Sequence, residues 1–259
     1  MTLRPMIALS ALAIAIASPA NAQVLPTFNA SNFTGNPVIT NPYFPVVEGQ
    51  VRSYDGSAGE SFIFTGTGAG PTILGVKTFT VRDDAFDGEQ LIEQTFDYYA
   101  QDKSGNVWYM GEDVTNYHYD KNGNLTGTDS ASAWRAGVNG ALPGYIMPTS
   151  VTIGFNYYQE HAPADDALDE GTTFALLGSF TAGGTNYSNV LQVLETSDID
   201  KSARGFKYYA FGVGLIYEAE GLKPNLKNPT QTFELTTAAA ANQQGKGPFD
   251  FREVPNPGQ

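Results

Sequence analysis

Residues 94–112, QTFDYYAQDKSGNVWYMGE, alternate large apolar or aromatic side chains with polar ones, break at Asp102-Lys103-Ser104-Gly105-Asn106, and alternate again. Alternation of period 2 requires an extended backbone, because successive side chains of a strand point to opposite faces. Gly105 supplies the positive φ that closes such a turn with a bulge. The stretch therefore predicts a β-hairpin with Gln101 opposite Val107 and Tyr99 opposite Tyr109. That register places Asp97, Tyr99, Gln101 and Tyr109 on one face, and Phe96, Tyr98, Ala100, Trp108, Met110 and Glu112 on the other. The second face reads as core. The first reads as a polar–aromatic surface, either solvated or used to hold a ligand.

The rest of the chain repeats the signal. Candidate strands fall at about 46–54, 60–66, 72–83, 90–101, 106–111, 114–120, 132–136, 151–160, 172–180, 186–196, 205–211, 213–220 and 230–236, with Gly, Asn or Asp between most of them. Short strands at this spacing predict an all-β fold built as an antiparallel meander, sandwich or barrel, here a curled sheet or β-barrel. Residues 23–45, rich in Asn, Pro, Thr and Phe, read as an extended N-terminal arm. Residues 46–236 read as one antiparallel domain, and 237–259 as a flexible tail. Gly137–Pro148 reads as a Gly/Pro-rich loop, and Ala162–Glu170 as an acidic loop or a single helical turn.

The first residues, MTLRPMIALSALAIAIASPANAQ, combine Arg4, an apolar run from Met6 to Ala17 and an Ala20-x-Ala22 site. This is the pattern of a secretory leader cleaved near Ala22, so the expected location is periplasmic or secreted, with no integral membrane segment. The chain has no Cys, which excludes disulfides, thiol catalysis and cysteine zinc sites. Its net charge of −13 argues against nucleic acid as a partner. The charge does not fix an oligomeric state.

Candidate chemistry is sparse. Asp97, Glu112 and Glu160 lie in or at the ends of strands, where paired carboxylates could act as acid and base on a glycan. Tyr99, Gln101, Tyr109, Trp134 and Arg135 are candidate ligand-binding residues, with Arg135 either clamping a ligand carboxylate or neutralising a nearby acid. The sequence implies no metal site. Asp120-x-Asn122-x-Asn124 begins like a calcium loop, but Leu125 stands where Gly is required and no Glu closes it. No cofactor is implied. Loosely bound calcium stays open at Asp83, Asp84, Asp87 and Glu89, or at Asp165, Asp166, Asp169 and Glu170. The pentapeptide DKSGN at 102–106 is echoed by DKNGN at 120–124.

The segments NPYFPVVEGQVRSYDG (41–56), TFDYYAQDKSGNVWYMGED (95–113), AGVNGALPGYIMP (136–148), YYQEHAPADDALDE (157–170) and KYYAFGVGLIYE (207–218) resemble an uncharacterised family of exported bacterial β-proteins labelled TapB-like. The resemblance implies a lipocalin-like or lipoprotein-carrier-like barrel and brings no activity. Three functions are compatible with these readings. The first is an exported binding protein holding a small amphipathic or glycan-like ligand on an aromatic–polar face. The second is a glycan-active hydrolase or lyase, and the third an envelope-associated structural protein.

Overall fold

A computed structural model of the protein describes residues 23–239. The expected leader and cleavage site, and most of the expected tail, lie outside the described residues. Apart from a single 3-10 turn at Ala30–Asn32, regular structure among the described residues is all strand. The strands are β1 (Val51–Gly56), β2 (Glu60–Ile73), β3 (Val76–Asp87), β4 (Gln90–Gln101), β5 (Val107–Tyr119), β6 (Leu125–Asp129), β7 (Trp134–Arg135) and β8 (Leu142–Met147). They continue with β9 (Asn156–Tyr158), β10 (Glu160–His161), β11 (Asp169–Ala182), β12 (Thr185–Ser197), β13 (Arg204–Ala210), β14 (Gly214–Glu220) and β15 (Gln231–Ala239).

These strands form one antiparallel, nearly closed, barrel-like sheet. Its order is β10-β8-β5-β4-β3-β2-β1-β15-β14-β13-β12-β11-β9, with β6 and β7 both on β5. Consecutive strands pair as hairpins through most of this order, as the turn signals predict. The two ends of the sheet are joined by a single segment. β9 pairs with β11 and β10 pairs with β8, with only Gln159 between them. Gly144 allows this approach, because a Cβ there would lie 2.2 Å from the Tyr158 carbonyl oxygen.

Several elements differ from the sequence reading. Val151–Phe155 forms turns, and pairing begins only at Asn156. The Gly/Pro-rich stretch contains β8, whose Pro143 stands opposite Glu160 and whose Tyr145 stands opposite Trp108. Residues 114–119 do not start a new strand but continue β5. Asp83, Asp84 and Asp87 are strand residues of β3, so alternation sends Asp83 and Asp84 to opposite faces and no cation loop forms. Glu89 lies in the following turn. The two echoed pentapeptides make the same turn. Asp102 Oδ1 accepts from the Ser104 and Asn106 amides, and Asp120 Oδ1 accepts from the Asn122 and Asn124 amides. Asp120 is thus committed to its own backbone.

The predicted hairpin forms with Gln101 opposite Val107 and Tyr99 opposite Tyr109. Both of its faces are buried, which corrects the expectation of a surface on one side. The N-terminal arm is the reason. Phe28 and Phe33 pack on Trp108, with ring centroids 5.6 and 6.0 Å away. The chain then crosses the 102–106 turn, where the Lys103 amide donates to the Asn32 carbonyl. Beyond it, Phe44 packs on Tyr99 at 5.1 Å, on the other side of the hairpin. Apolar arm residues at such spacing remove ring surface from water on both faces, at about 25 cal/mol per Å² of apolar area.

Candidate functional site

The cross-strand register identifies the barrel's inner face. Arg52, Phe64, Asp83 and Thr95 stand in one row, and Val81, Asp97 and Glu112 in another. Glu112 was expected on the core face with Trp108. A bulge in β5 moves it, because Tyr99 pairs with Tyr109 but Asp97 pairs with Glu112, so β5 carries one extra residue. Gly111 absorbs the distortion at φ 133°, where a Cβ would lie 2.6 Å from the Trp134 carbonyl oxygen.

Asp97, Glu112 and Tyr109 therefore meet inside the barrel. The Tyr109 hydroxyl is hydrogen-bonded to Asp97 Oδ1 and lies 2.8 Å from Glu112 Oε2. Desolvation pushes the Glu112 carboxyl up to about 8, and the charge of Asp97 adds to the shift. Desolvation also raises Asp97, but the Tyr109 hydrogen bond opposes it and the value is about 6. A phenol has one proton, so one of the two contacts must run the other way. Glu112, protonated at neutral pH, donates to Tyr109, and Tyr109 donates to Asp97.

Glu160, in the segment that joins the sheet ends, is electrostatically coupled to this group. Burial, then Glu112, Asp169 and Asp97, raise its proton affinity. The Trp134 indole N–H lowers it, without reaching the geometry of a full hydrogen bond. Trp134 is held over Tyr109 at 5.4 Å. The structure thus brings Asp97, Glu112, Glu160, Tyr99, Tyr109 and Trp134 together. Two other sequence candidates lie elsewhere. Gln101 Oε1 accepts from the Thr40 and Asn41 amides at 2.7 and 2.8 Å, which fastens the arm. Arg135 alternates with Trp134, pairs with Asp113 at 2.6 Å and covers the Tyr98 ring at 5.0 Å.

A second charged group faces these residues from the other half of the barrel. Lys207 Nζ lies 3.0 Å from Glu195 and 3.8 Å from Glu218. Burial works against the charged form of Lys207, but Glu195 and Glu218 outweigh it and its proton affinity rises. Glu218 is pushed up to about 7 by desolvation, with Lys207 opposing. Asp83 is raised by burial and then by Asp97 and Glu218.

Lys207 and Glu218 border two cavities. The larger, 290 Å³, is also lined by Gln159, Asp169, Glu195 and Glu220, and reaches the surface at the exposed Ala203 and Gly221. The smaller, 80 Å³, lies inward against Phe44, Phe64, Asp97, Tyr99 and Tyr209. Sequence reasoning assigned no role to Lys207, Glu195 or Glu218, and gave Asp83 only a place in a candidate calcium loop. The signal available was a Lys and a Glu at alternate positions of aromatic strands, in KYY and YEAE. Pairing of Lys207 with Glu218 across β13–β14 is what joins them. Among the described residues, no group of three or more His, Asp or Glu side chains is arranged to hold a metal ion. No described helix is long and apolar enough to cross a membrane.

No protein-family model matches this sequence. No curated protein matches it either. Two solved structures match this chain in part. A candidate exported protein with a YmcC-like fold from Bacteroides fragilis matches with a TM-score of 0.38 and 10% identity, covering 78% of this chain and 100% of that one. A candidate lipoprotein from Parabacteroides distasonis matches with a TM-score of 0.36 and 11% identity, covering 77% of this chain and 99% of that one.

Proposed function

We propose that the protein is an exported binding protein that holds a small polar, glycan-like ligand in the cavity bordered by Lys207 and Glu218. The observation that carries this reading is a 290 Å³ recess with convergent, hydrogen-bonding side chains. It is continuous in its lining with an aromatic inner chamber. A recess near the lower end of the size range of small-molecule sites, with a few oriented polar groups and aromatic walls behind, suits a molecule of monosaccharide or disaccharide size. The leader pattern at residues 1–22 supports export.

The test is calorimetric titration of the mature protein with a panel of neutral and charged mono- and disaccharides. Binding that weakens at least tenfold in Lys207→Met, with an unchanged far-ultraviolet spectrum, supports the site. A panel without a binder, or a variant that binds as wild type does, removes it.

A second reading is acid/base catalysis on a glycan, favoured by one observation. Asp97 and Glu112 share a tyrosine hydroxyl and are pushed to different proton affinities, as acid and base pairs are. Of the two, only Asp97 lines either of these cavities, the inner one. Turnover of a polysaccharide that disappears in both Asp97→Asn and Glu112→Gln would establish it; turnover that survives both would end it.

A further inference from the structure

We propose that the outer edge of β11, from Ala175 to Thr181, pairs with the same strand of a second copy of this chain, antiparallel about a twofold axis at Leu177.

β11 changes neighbours along its length. β9 covers it only at Glu170–Thr172. Next, the Thr173 amide donates to the Phe155 carbonyl at 2.9 Å, and its carbonyl accepts from Gly154 at 2.8 Å. From Ala175 to Thr181 the strand pairs with β12, and among the described residues its other edge has no backbone partner. The register fixes which groups lie there. The Asn189 carbonyl accepts from the Phe211 amide, just past β13, so Asn189 and Leu191 face β13 while Ser188, Val190 and Gln192 face β11. Their partners Ser179, Leu177 and Ala175 face β12 in return. Leu176, Gly178 and Phe180 therefore turn their N–H and C=O groups outward.

This edge is held in place and unguarded. Thr173 anchors one end. At the other, the Gly183 amide donates to Glu234 at 2.9 Å and Phe180 stacks on Tyr208 with ring centroids 4.3 Å apart. A pre-extended edge loses little freedom on pairing. Proteins ordinarily guard such edges with charges, Pro or bulges. No charged residue and no Pro stands between Glu170 and Glu195, and the bulge of β11, at Phe174, precedes the free stretch. Leu176 is 52% exposed on it. Two copies of a chain with net charge −13 repel, so they can meet only along an uncharged stretch such as this one.

The strand's own sequence names the occupant. A twofold contact requires a strand complementary to its own reverse. Read outward from Leu177, Ala175 mirrors Ser179, Phe174 mirrors Phe180 and Thr173 mirrors Thr181. About that axis Leu176 stands opposite the partner's Gly178, which joins two outward-facing residues as a hydrogen-bonded pair requires. A Cβ on Gly178 would meet nothing within 4 Å, so the partner's Leu176 has room there.

The experiment is sedimentation velocity of the mature protein from about 1 μM to about 1 mM, the span of weak association. Expected is a reversible monomer–dimer equilibrium, with the Leu176, Gly178 and Phe180 amides exchanging at least tenfold more slowly in the dimer. The chain has no Cys, so Leu177→Cys should form an intermolecular disulfide on mild oxidation, while Lys121→Cys in the exposed 120–124 turn should not. Cα atoms of a non-hydrogen-bonded antiparallel pair lie about 4.5 Å apart, within disulfide range. Gly178→Pro removes an outward N–H and Leu176→Lys adds a charge to the edge; each should give a monomer with the wild-type far-ultraviolet spectrum. A protein monomeric throughout the series overturns the proposal, and protection of the three amides in that monomer would assign the edge to another segment of the same chain. A dimer without protection at those amides, or one that persists in either folded variant, places the contact elsewhere and overturns it too.

Discussion

Asp97 and Glu112 stand opposite each other across the β4–β5 ladder, with the Tyr109 hydroxyl between their carboxyl groups. One extra residue in β5 creates this relationship, and Gly111 at φ 133° makes the extra residue tolerable. A side chain at position 111 meets both a conformation rare for L-residues and the backbone of β7. Gly111→Ala should therefore destabilise the protein by about 1–3 kcal/mol or more. Urea unfolding monitored by tryptophan fluorescence checks this, since Trp108 and Trp134 both report on the hairpin. An unchanged midpoint would mean that the bulge is not held by Gly111.

Tyr109→Phe removes the donor to Asp97 and leaves a buried carboxylate short of a partner. The expected loss is about 1–3 kcal/mol. Because the Tyr109 hydrogen bond lowers the proton affinity of Asp97, its removal should also move the Asp97 titration upward from about 6. Carboxyl-carbon NMR of wild type and variant measures the shift; a downward movement would contradict the assigned hydrogen bond.

The inner carboxyls set the pH dependence of stability. Folding raises Asp97 to about 6, Glu218 to about 7 and Glu112 to about 8, from ordinary values of 3.8, 4.5 and 4.5. The folded state thus holds protons that the unfolded chain releases at lower pH. The resulting stabilisation is complete below the unfolded values and is lost as pH rises through the folded ones. Asp129 and Asp198, lowered to about 2 by hydrogen bonds, act in the opposite sense but only in stronger acid. The thermal midpoint should rise on going from pH 8.5 to pH 5, by roughly 2–4 °C for each kcal/mol of linkage in a chain of this size. Scanning calorimetry across that range measures it, and Glu112→Gln should flatten the curve near pH 8.

Gln101 holds the arm to the hairpin through three hydrogen bonds, including Nε2 to Thr40 Oγ1 at 3.0 Å. Gln101→Ala should leave the barrel folded and loosen the arm. Hydrogen exchange at the Thr40 and Asn41 amides should accelerate at least tenfold, with little change in β11–β13. Uniform acceleration everywhere would show that the arm is not a separate layer.

Trp134 and Arg135 are neighbours in sequence with opposite consequences. Trp134 is 3% exposed and covers Tyr109, so Trp134→Ala should cost about 3–5 kcal/mol. Arg135 and Asp113 are exposed partners, and Arg135→Ala should cost about 1 kcal/mol or less and leave ligand affinity unchanged. Denaturation curves of the two variants give the comparison.

The alternation of residues 94–112 and the spacing of Gly, Asn and Asp determined an antiparallel, strand-only, barrel-like sheet and the Tyr99–Tyr109 register, because both are consequences of local backbone geometry. The same local rules located the two pentapeptide turns. Alternation could not say which face was inside. Tyr99 and Tyr109 read as surface because burial of the hairpin depends on Phe28, Phe33 and Phe44, which are distant in sequence. Nor could it place Glu112, since a bulge is one residue long and reverses every side chain beyond it. Lys207, Glu195 and Glu218 become a cavity wall only when β12, β13 and β14 pair, and Glu160 comes within reach of Asp97 and Glu112 only because residues 156–161 join the two sheet ends. The sequence by itself determined the all-strand class, most of the long strands and the register of the 94–112 hairpin. Tertiary structure alone decided which carboxylates share an interior, because that rests on closure of the sheet and on contacts between residues far apart in the chain.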